Sequence, residues 1–474
     1  PVTLHPRAAP RPHPGIRPAP ALRLLLIAAL AALATGLSGC AAYYAADMGR
    51  PLKRLARGDY EGALAKLEKP SGDTNKLLYR LERGLILHYQ GAYEESNAEF
   101  ERAEKLVDRF YTRSVSREVV SLLTNDAVRP YSGEEFERAL IHYYRALNYW
   151  KLGDPEGALV ECRKANLRLA QFAAAADYAL SYRNDAFLQY MTGLLYEAEG
   201  EWNDAYISFK DAAKGYAAYE EAFGLRTPRP LAQDLVEVAA RLGYQDEVAQ
   251  LAEQYGVPRP GYGAGQTTQV VVFAESGFIA RKGQEDINLP IMEDGRDRDA
   301  WMVSERAVYR YRHPAYGGRV KYWLRVALPV YEPVRSAVTA VRVSAGTDTA
   351  RAVLAEDLDA IAARTLQEKE DTILLRTVAR GIAKYAATKA AEKKSDFLGV
   401  LVNLLGAGTE AADTRGWLSL PKAIWLGRLN LPPGTTDVVV EFLDGAGRVV
   451  DVQRFGGVEM APGRTVFLSY RSFR

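Results

Sequence analysis

Gly91-Ala92-Tyr93-Glu94-Glu95-Ser96-Asn97-Ala98-Glu99-Phe100 and Gly200-Glu201-Trp202-Asn203-Asp204-Ala205-Tyr206-Ile207-Ser208-Phe209 are two versions of one ten-residue phrase. Each opens on glycine, sets an aromatic residue two places on and a small residue three further, and closes on phenylalanine. Upstream, each is preceded by a second glycine, Gly84 and Gly193; Ala103 follows the first copy, and Ala212 the second, which Tyr196 also precedes. Gly58-Asp59-Tyr60 with Ala63 and Leu67 is a third copy. Ala146, Tyr149, Gly153-Asp154, Ala158, Cys162 and Ala165 make a fourth, and Gly243-Tyr244 with Val248 a weaker fifth. The physical logic is that of a helical hairpin. Glycine ends the first helix in a left-handed conformation. The aromatic residue packs over the turn, as Tyr60, Tyr93 and Trp202 would. The small residue (Ser96, Ala158, Ala205) lets the second helix approach the first.

Gly58 and Gly91 are 33 residues apart, while Gly91 to Gly153 is 62 and Gly153 to Gly200 is 47, so inserted helices interrupt the period. This phrasing resembles the tetratricopeptide repeat (TPR), two helices in about 34 residues. The resemblance implies an all-α TPR-like solenoid over residues 50–256 that binds protein partners. Tyr143, Tyr144, Tyr149, Tyr178, Tyr182, Tyr190 and Tyr196 would either line its peptide groove or pack half-buried between helices.

Val257-Pro258-Arg259-Pro260-Gly261-Tyr262-Gly263-Ala264-Gly265 breaks the helical pattern, and residues 257–266 read as a linker. Its glycines precede no Lys-Ser/Thr pair, which a phosphate loop requires. Beyond it, residues 267–474 read as an α+β domain. Strands are expected at Gln269–Phe273, Val320–Leu328 and Val338–Val343. A long helical block follows over Ala350–Lys394, with Leu354, Leu358, Ile361, Thr365, Ile373, Leu374, Val378, Ile382 and Tyr385 on one face. A hairpin, Asp437–Leu443 and Arg448–Val452 around Asp444-Gly445-Ala446-Gly447, and a last strand, Thr465–Tyr470, suggest a small terminal β-sandwich-like unit.

The other end of the chain carries an export pattern. Arg7, Arg11, Arg17 and Arg23 precede an apolar run, Leu24–Ala34, too short to span a bilayer but right for a signal peptide. Leu37-Ser38-Gly39-Cys40 then resembles the lipobox of bacterial lipoproteins, in which the cysteine accepts diacylglycerol. The resemblance implies a signal over residues 1–39, a lipidated Cys40 and a tether over 40–49. Ala41 in place of an aspartate implies the outer membrane facing the periplasm, rather than the inner membrane. Losing four arginines from a chain of net charge +2 leaves −2, and no concentrated basic face marks a nucleic-acid partner. With Cys40 acylated, Cys162 has no disulfide partner, so core burial must hold the fold.

Glu356-Asp357, Leu375–Arg380, Asp413-Thr414-Arg415-Gly416-Trp417, Leu420-Pro421 and Arg428 together resemble a family of TPR-containing bacterial outer-membrane lipoproteins with no settled biochemical role. The resemblance covers most of the mature chain and implies an envelope protein connected with cell-wall or surface assembly. Asp413, Thr414, Arg415 and Trp417 are its most specific motif. They are expected either to join the long helix to the terminal strands or to form an exposed partner site.

Candidate chemistry is thin. Asp294, Asp297 and Asp299 alternate as calcium ligands do, yet fit no calcium loop. His88 and His142 lack metal-ligand spacing, and His313 lacks a neighbouring nucleophile and base. Glu368, Glu370 and Asp371 read as a solvated helix face, and Phe397–Leu405 as a short core helix or a lipid or partner contact. The sequence thus points to no catalytic residue, metal or cofactor. It leads to a lipid-anchored scaffold or adaptor binding envelope proteins. A cell-wall or glycan hydrolase and a structural subunit of a secretion or polymer-export complex are the rival readings.

Overall fold

The computed structural model describes residues 44–115, 129–175, 180–259, 268–292, 303–304, 320–392 and 411–474. The lipobox, Cys40, Tyr178, the aspartates at 294–299, His313 and Phe397–Leu405 lie outside them.

Helices come first. Among the described residues they form five hairpins: α1 (Gly49–Leu55) with α2 (Tyr60–Lys66), α3 (Lys76–Gln90) with α4 (Tyr93–Val115), α5 (Glu135–Lys151) with α6 (Pro155–Ala175), α7 (Ala186–Glu199) with α8 (Trp202–Phe223), and α9 (Arg229–Arg241) with α10 (Gln245–Tyr255). Gly58, Gly91, Gly153, Gly200 and Gly243 sit at the turns with φ between +73° and +85°, the region an L side chain avoids. Close approach explains the upstream glycines. A Cβ on Gly84 would lie 2.8 Å from Phe100 Cε1, and one on Gly193 would strike the Phe209 ring. Trp202 is covered by the guanidinium of Arg241, 3.9 Å from its ring centroid. This part of the chain is a TPR-like helical solenoid.

Ala63, Ala158 and Ala205 are fully buried between paired helices. Ala205→Leu should therefore overpack the α7–α8 hairpin and cost about 1–3 kcal/mol. A thermal melt indistinguishable from that of the parent would show that the hairpin register is wrong.

Strands and one further helix follow: β1 (Thr268–Ser276), β2 (Arg281–Met292), β3 (Val303–Ser304), β4 (Val320–Glu332), β5 (Ala340–Ala345), β6 (Asp348–Arg351), β7 (Val353–Asp357), α11 (Leu358–Glu392), β8 (Ala423–Leu431), β9 (Gly434–Leu443), β10 (Val449–Met460) and β11 (Thr465–Ser472). They build two four-stranded sheets, ordered β11-β1-β8-β7 and β10-β9-β5-β6, and a smaller sheet, β3-β2-β4. β1 pairs parallel to β11 and antiparallel to β8.

β1 explains the architecture. Its side chains alternate across the sheet. Val270, Val272 and Ala274 enter a core shared with Val341, Val343, Val438, Val440 and Phe442 of the second sheet. Val271 and Phe273 enter a core shared with the helices. Both faces are buried, which is why Val270–Ala274 reads as an unbroken apolar run rather than an alternating one. The β-sandwich is therefore not terminal: its first strand directly follows the linker region and pairs with the last. Nor does the linker separate two cores, since the solenoid and the sheet share one.

The helical block also begins later than its apolar spacing suggests. Ala350 and Arg351 end β6, Val353–Asp357 is β7, paired to β8, and α11 starts at Leu358 under the cap of Asp357, whose carboxylate accepts the Ala360 N–H at 3.0 Å. Leu354 satisfies the helical spacing by coincidence. Ile373, Leu374 and Val378 of α11 pack on Ile287, Val326 and Leu328 of the small sheet.

Candidate functional site

Repeat solenoids present an extended surface to their ligands, and the first helices α5 and α7 form the face turned toward β1 and β11. Here that face is covered by the chain itself. Phe187 of α7 meets Phe273 of β1 edge-on at 5.9 Å between centroids, and Trp150 of α5 meets Phe467 of β11 at 4.6 Å. Tyr143, Tyr144, Tyr182 and Tyr190 are fully buried, so they pack in the shared core and line no open groove. Tyr149 and Tyr196 are partly buried against it.

Between α11 and β8, residues 411–422 cross the array as an irregular strap. Asp413 folds back on Arg415, accepting from Nε at 2.8 Å and Nη2 at 2.6 Å. Arg415 Nη1 donates to the carbonyls of Thr74 and Arg129, both at 2.9 Å. Trp417 wedges its indole beside Phe100 and Tyr144. Two buried glutamates on first helices then take the strap's backbone. Glu137 of α5 accepts the Trp417 N–H at 2.7 Å, and Glu82 of α3 accepts those of Leu418 at 2.8 Å and Ser419 at 3.2 Å. Burial outweighs these hydrogen bonds and that from the Tyr44 hydroxyl, and Glu82 stands raised to about 7. Among the described residues, the contacts of Asp413, Arg415 and Trp417 run to the solenoid rather than between α11 and the terminal strands.

Two arginines complete the seam. Arg471 of β11 donates to the carbonyls of Gly277 at 2.7 Å and Leu420 at 3.0 Å and to the Tyr89 hydroxyl at 2.8 Å; Tyr89 in turn donates to Glu275 of β1. Arg428 of β8 pairs with Glu197 of α7 at 3.3 Å and with Asp234 of α9, which also accepts from Tyr190 at 2.6 Å. Burial lifts Asp234 to about 8 against the pull of Arg428. At the other edge Glu134 and Glu135, at the start of α5, pair with Lys369 of α11, and Glu134 with Lys282 of β2. Even with burial opposing it, the two lysines hold Glu134 well below the usual carboxylate range. Sequence reading found Arg415 and Trp417 through a motif. It missed Glu82, Glu137, Glu197 and Asp234, because an acid on an amphipathic helix looks solvated until a long-range partner is known.

Glu104, His142 and Glu161 bring three ligand-type atoms within 4.8 Å of one another, the one such group among the described residues. Arg145 bridges Glu104 at 2.8 Å and Glu161 at 3.2 Å, Lys164 reaches Glu161 at 3.0 Å, and His142 Nδ1 lies 2.8 Å from the Glu161 carboxylate. The chain's own cations thus stand where a metal ion would be expected to balance charge, and the group reads as an ion-pair knot joining α4, α5 and α6. His88 is buried beside Asn148, at 2.6 Å, and burial drives its pKa down to about 4. Cys162 is buried and its thiol is pushed up to about 12, an inert packing residue. Among the described residues no helix is long and apolar enough to cross a membrane.

No protein-family model matches the chain, and no curated protein does. Solved structures overlap with it. MamA from Desulfovibrio magneticus RS-1 (residues 41 to the end) does so at 17% identity and TM-score 0.27, over 44% of this chain and 89% of that one. The TPR-like repeats of a kinesin light chain from Podosopora anserina give 15% and 0.29, over 44% and 92%. Aspartyl phosphate phosphatase F from Bacillus subtilis gives 18% and 0.31, over 50% and 55%. Overlaps at this level fix no shared function.

Proposed function

We propose that the protein is a non-catalytic, lipid-anchored scaffold of the cell envelope, tethered through Cys40 to the periplasmic face of the outer membrane. In it, the repeats hold the chain's own sheet region and present the assembled surface to other envelope proteins. One observation carries the reading: Glu82 and Glu137 grip the backbone of Trp417–Ser419. Buried acids spent as fixed acceptors for peptide N–H groups perform recognition, and they leave no free general base there. With the first helices engaged internally, partners would meet the second helices, where Leu167 of α6 and Ile207 of α8 stand exposed, or the sheet β10-β9-β5-β6.

The scaffold reading is tested by photocrosslinking from Leu167, Ile207 and Leu375 in living cells. Reproducible adducts with envelope proteins from a second-helix position support it. Adducts from none of the positions, together with cleavage of purified cell wall by the pure protein, would move the assignment to a hydrolase.

Anchoring has its own expected result. Each buried CH₂ of an acyl chain contributes about 0.8 kcal/mol, and two or more chains hold firmly. Cys40→Ser should leave the precursor uncleaved or shift the mature chain to the soluble fraction. Unchanged processing and membrane association would remove the lipoprotein reading.

A further inference from the structure

Glu356 breaks the pattern of the seam. It is fully buried, and neither of its side-chain oxygens has a hydrogen-bond partner among the described residues. It is aimed inward by an irregularity. The β7–β8 register slips between Leu354 and Glu356, so Ala355 is an extra residue and both Ala355 and Glu356 are buried. Bulges of this kind re-aim a side chain and recur beside sites that do work.

The surroundings are acidic and phenolic. Asp185, the N-cap of α7, is fully buried and accepts from the Leu188 N–H at 2.8 Å and the Tyr182 hydroxyl at 2.6 Å. From α8, Tyr216 donates to the carbonyl of Ala355 at 2.8 Å, and Tyr219 donates to the carbonyl of Asn184 at 3.4 Å. The charges acting on Glu356 are those of Asp185 and of its neighbour Asp357, both negative. A buried seam in which two carboxyls act on one another, with no compensating cation among the described residues, cannot carry both as anions.

We propose that Glu356 and Asp185 form a proton-operated latch: a proton held on Glu356 closes β7 and the start of α11 onto α7 and α8, and its loss to solvent loosens that contact. The sign follows from the environment. Burial first, then the charges of Asp185 and Asp357, raise Glu356 above the ordinary carboxylate range, and burial raises Asp185 to about 6. In the unfolded or opened chain both carboxyls return to about 4. The closed state therefore binds the extra proton. It is fully favoured below about pH 4 and weakens as the pH rises through the folded values, about tenfold per pH unit for each proton released.

The test is hydrogen exchange of the full-length protein at pH 5.5 and pH 8, corrected for intrinsic rates, on the parent and on Glu356→Gln. In the parent, amides of 182–190 and 353–362 are expected to lose at least about tenfold in protection at pH 8, while Glu356→Gln, which leaves only Asp185 to titrate, loses markedly less. Equal pH dependence in the two proteins would overturn the latch. If Glu356→Gln does not fold, the same exchange measurement on Asp185→Asn decides. With one of the two carboxyls removed, the loss of protection between pH 5.5 and pH 8 is expected to shrink, and a loss equal to the parent's refutes the proposal.

Discussion

Trp417→Ala is expected to cost about 3–5 kcal/mol, the range for deleting a buried aromatic side chain. The indole is 1% exposed and lies between Phe100 of α4 and Tyr144 of α5, with its Nε1–H donated to Ser419 Oγ at 3.1 Å. The loss should be felt on both sides of the seam, because the residue belongs to neither half alone. Its fluorescence should be blue-shifted before unfolding and its removal should lower the helical and sheet transitions together. A variant that melts like the parent yet loses a partner would turn the strap into an external binding site and refute its structural role.

Arg428→Ala should be comparably damaging. Arg428 is the cation between Glu197 and Asp234, all three side chains being at most 8% exposed. Removing one partner of a buried ion pair typically costs about 3–5 kcal/mol, since the remaining charge has no water. Here the damage should depend on pH. Burial already raises Asp234 to about 8 with the arginine in place, and without it Asp234 protonates more readily still. The deficit against the parent should thus narrow as the pH falls from 8 to 5, where the orphaned acids can take up protons. Denaturant melts at the two pH values check this; a deficit that widens in acid would contradict the assignment.

The hairpins were legible because their signals are local: a glycine at φ > 0, a small residue at a crossing and an aromatic over the turn all lie within ten residues. The sheets were legible in part. Thr465–Tyr470 and Gln269–Phe273 each read as strands, but nothing in either announces that they pair in parallel nearly two hundred residues apart. Ala423–Leu431 was missed because it carries Gly427 and Arg428 inside an apolar run. Both have tertiary reasons: a Cβ at Gly427 would strike Val343 of the facing sheet, and Arg428 answers acids on α7 and α9. The motif 413–417 stood out through the family resemblance, while its partners, Glu82 and Glu137, looked like any surface glutamate. The tyrosines showed the opposite failure. Their richness was visible, but whether they faced a groove or a core depended on a sheet lying far along the chain.

The central claim is that solenoid and sheets are one folded unit closed on a shared face. Differential scanning calorimetry of the full-length protein tests it most directly. One cooperative transition is expected, in which helix and sheet are lost together. Two separated transitions, with the helical signal surviving loss of the sheets, would show that the repeats stand alone and that their first-helix face is open to other ligands.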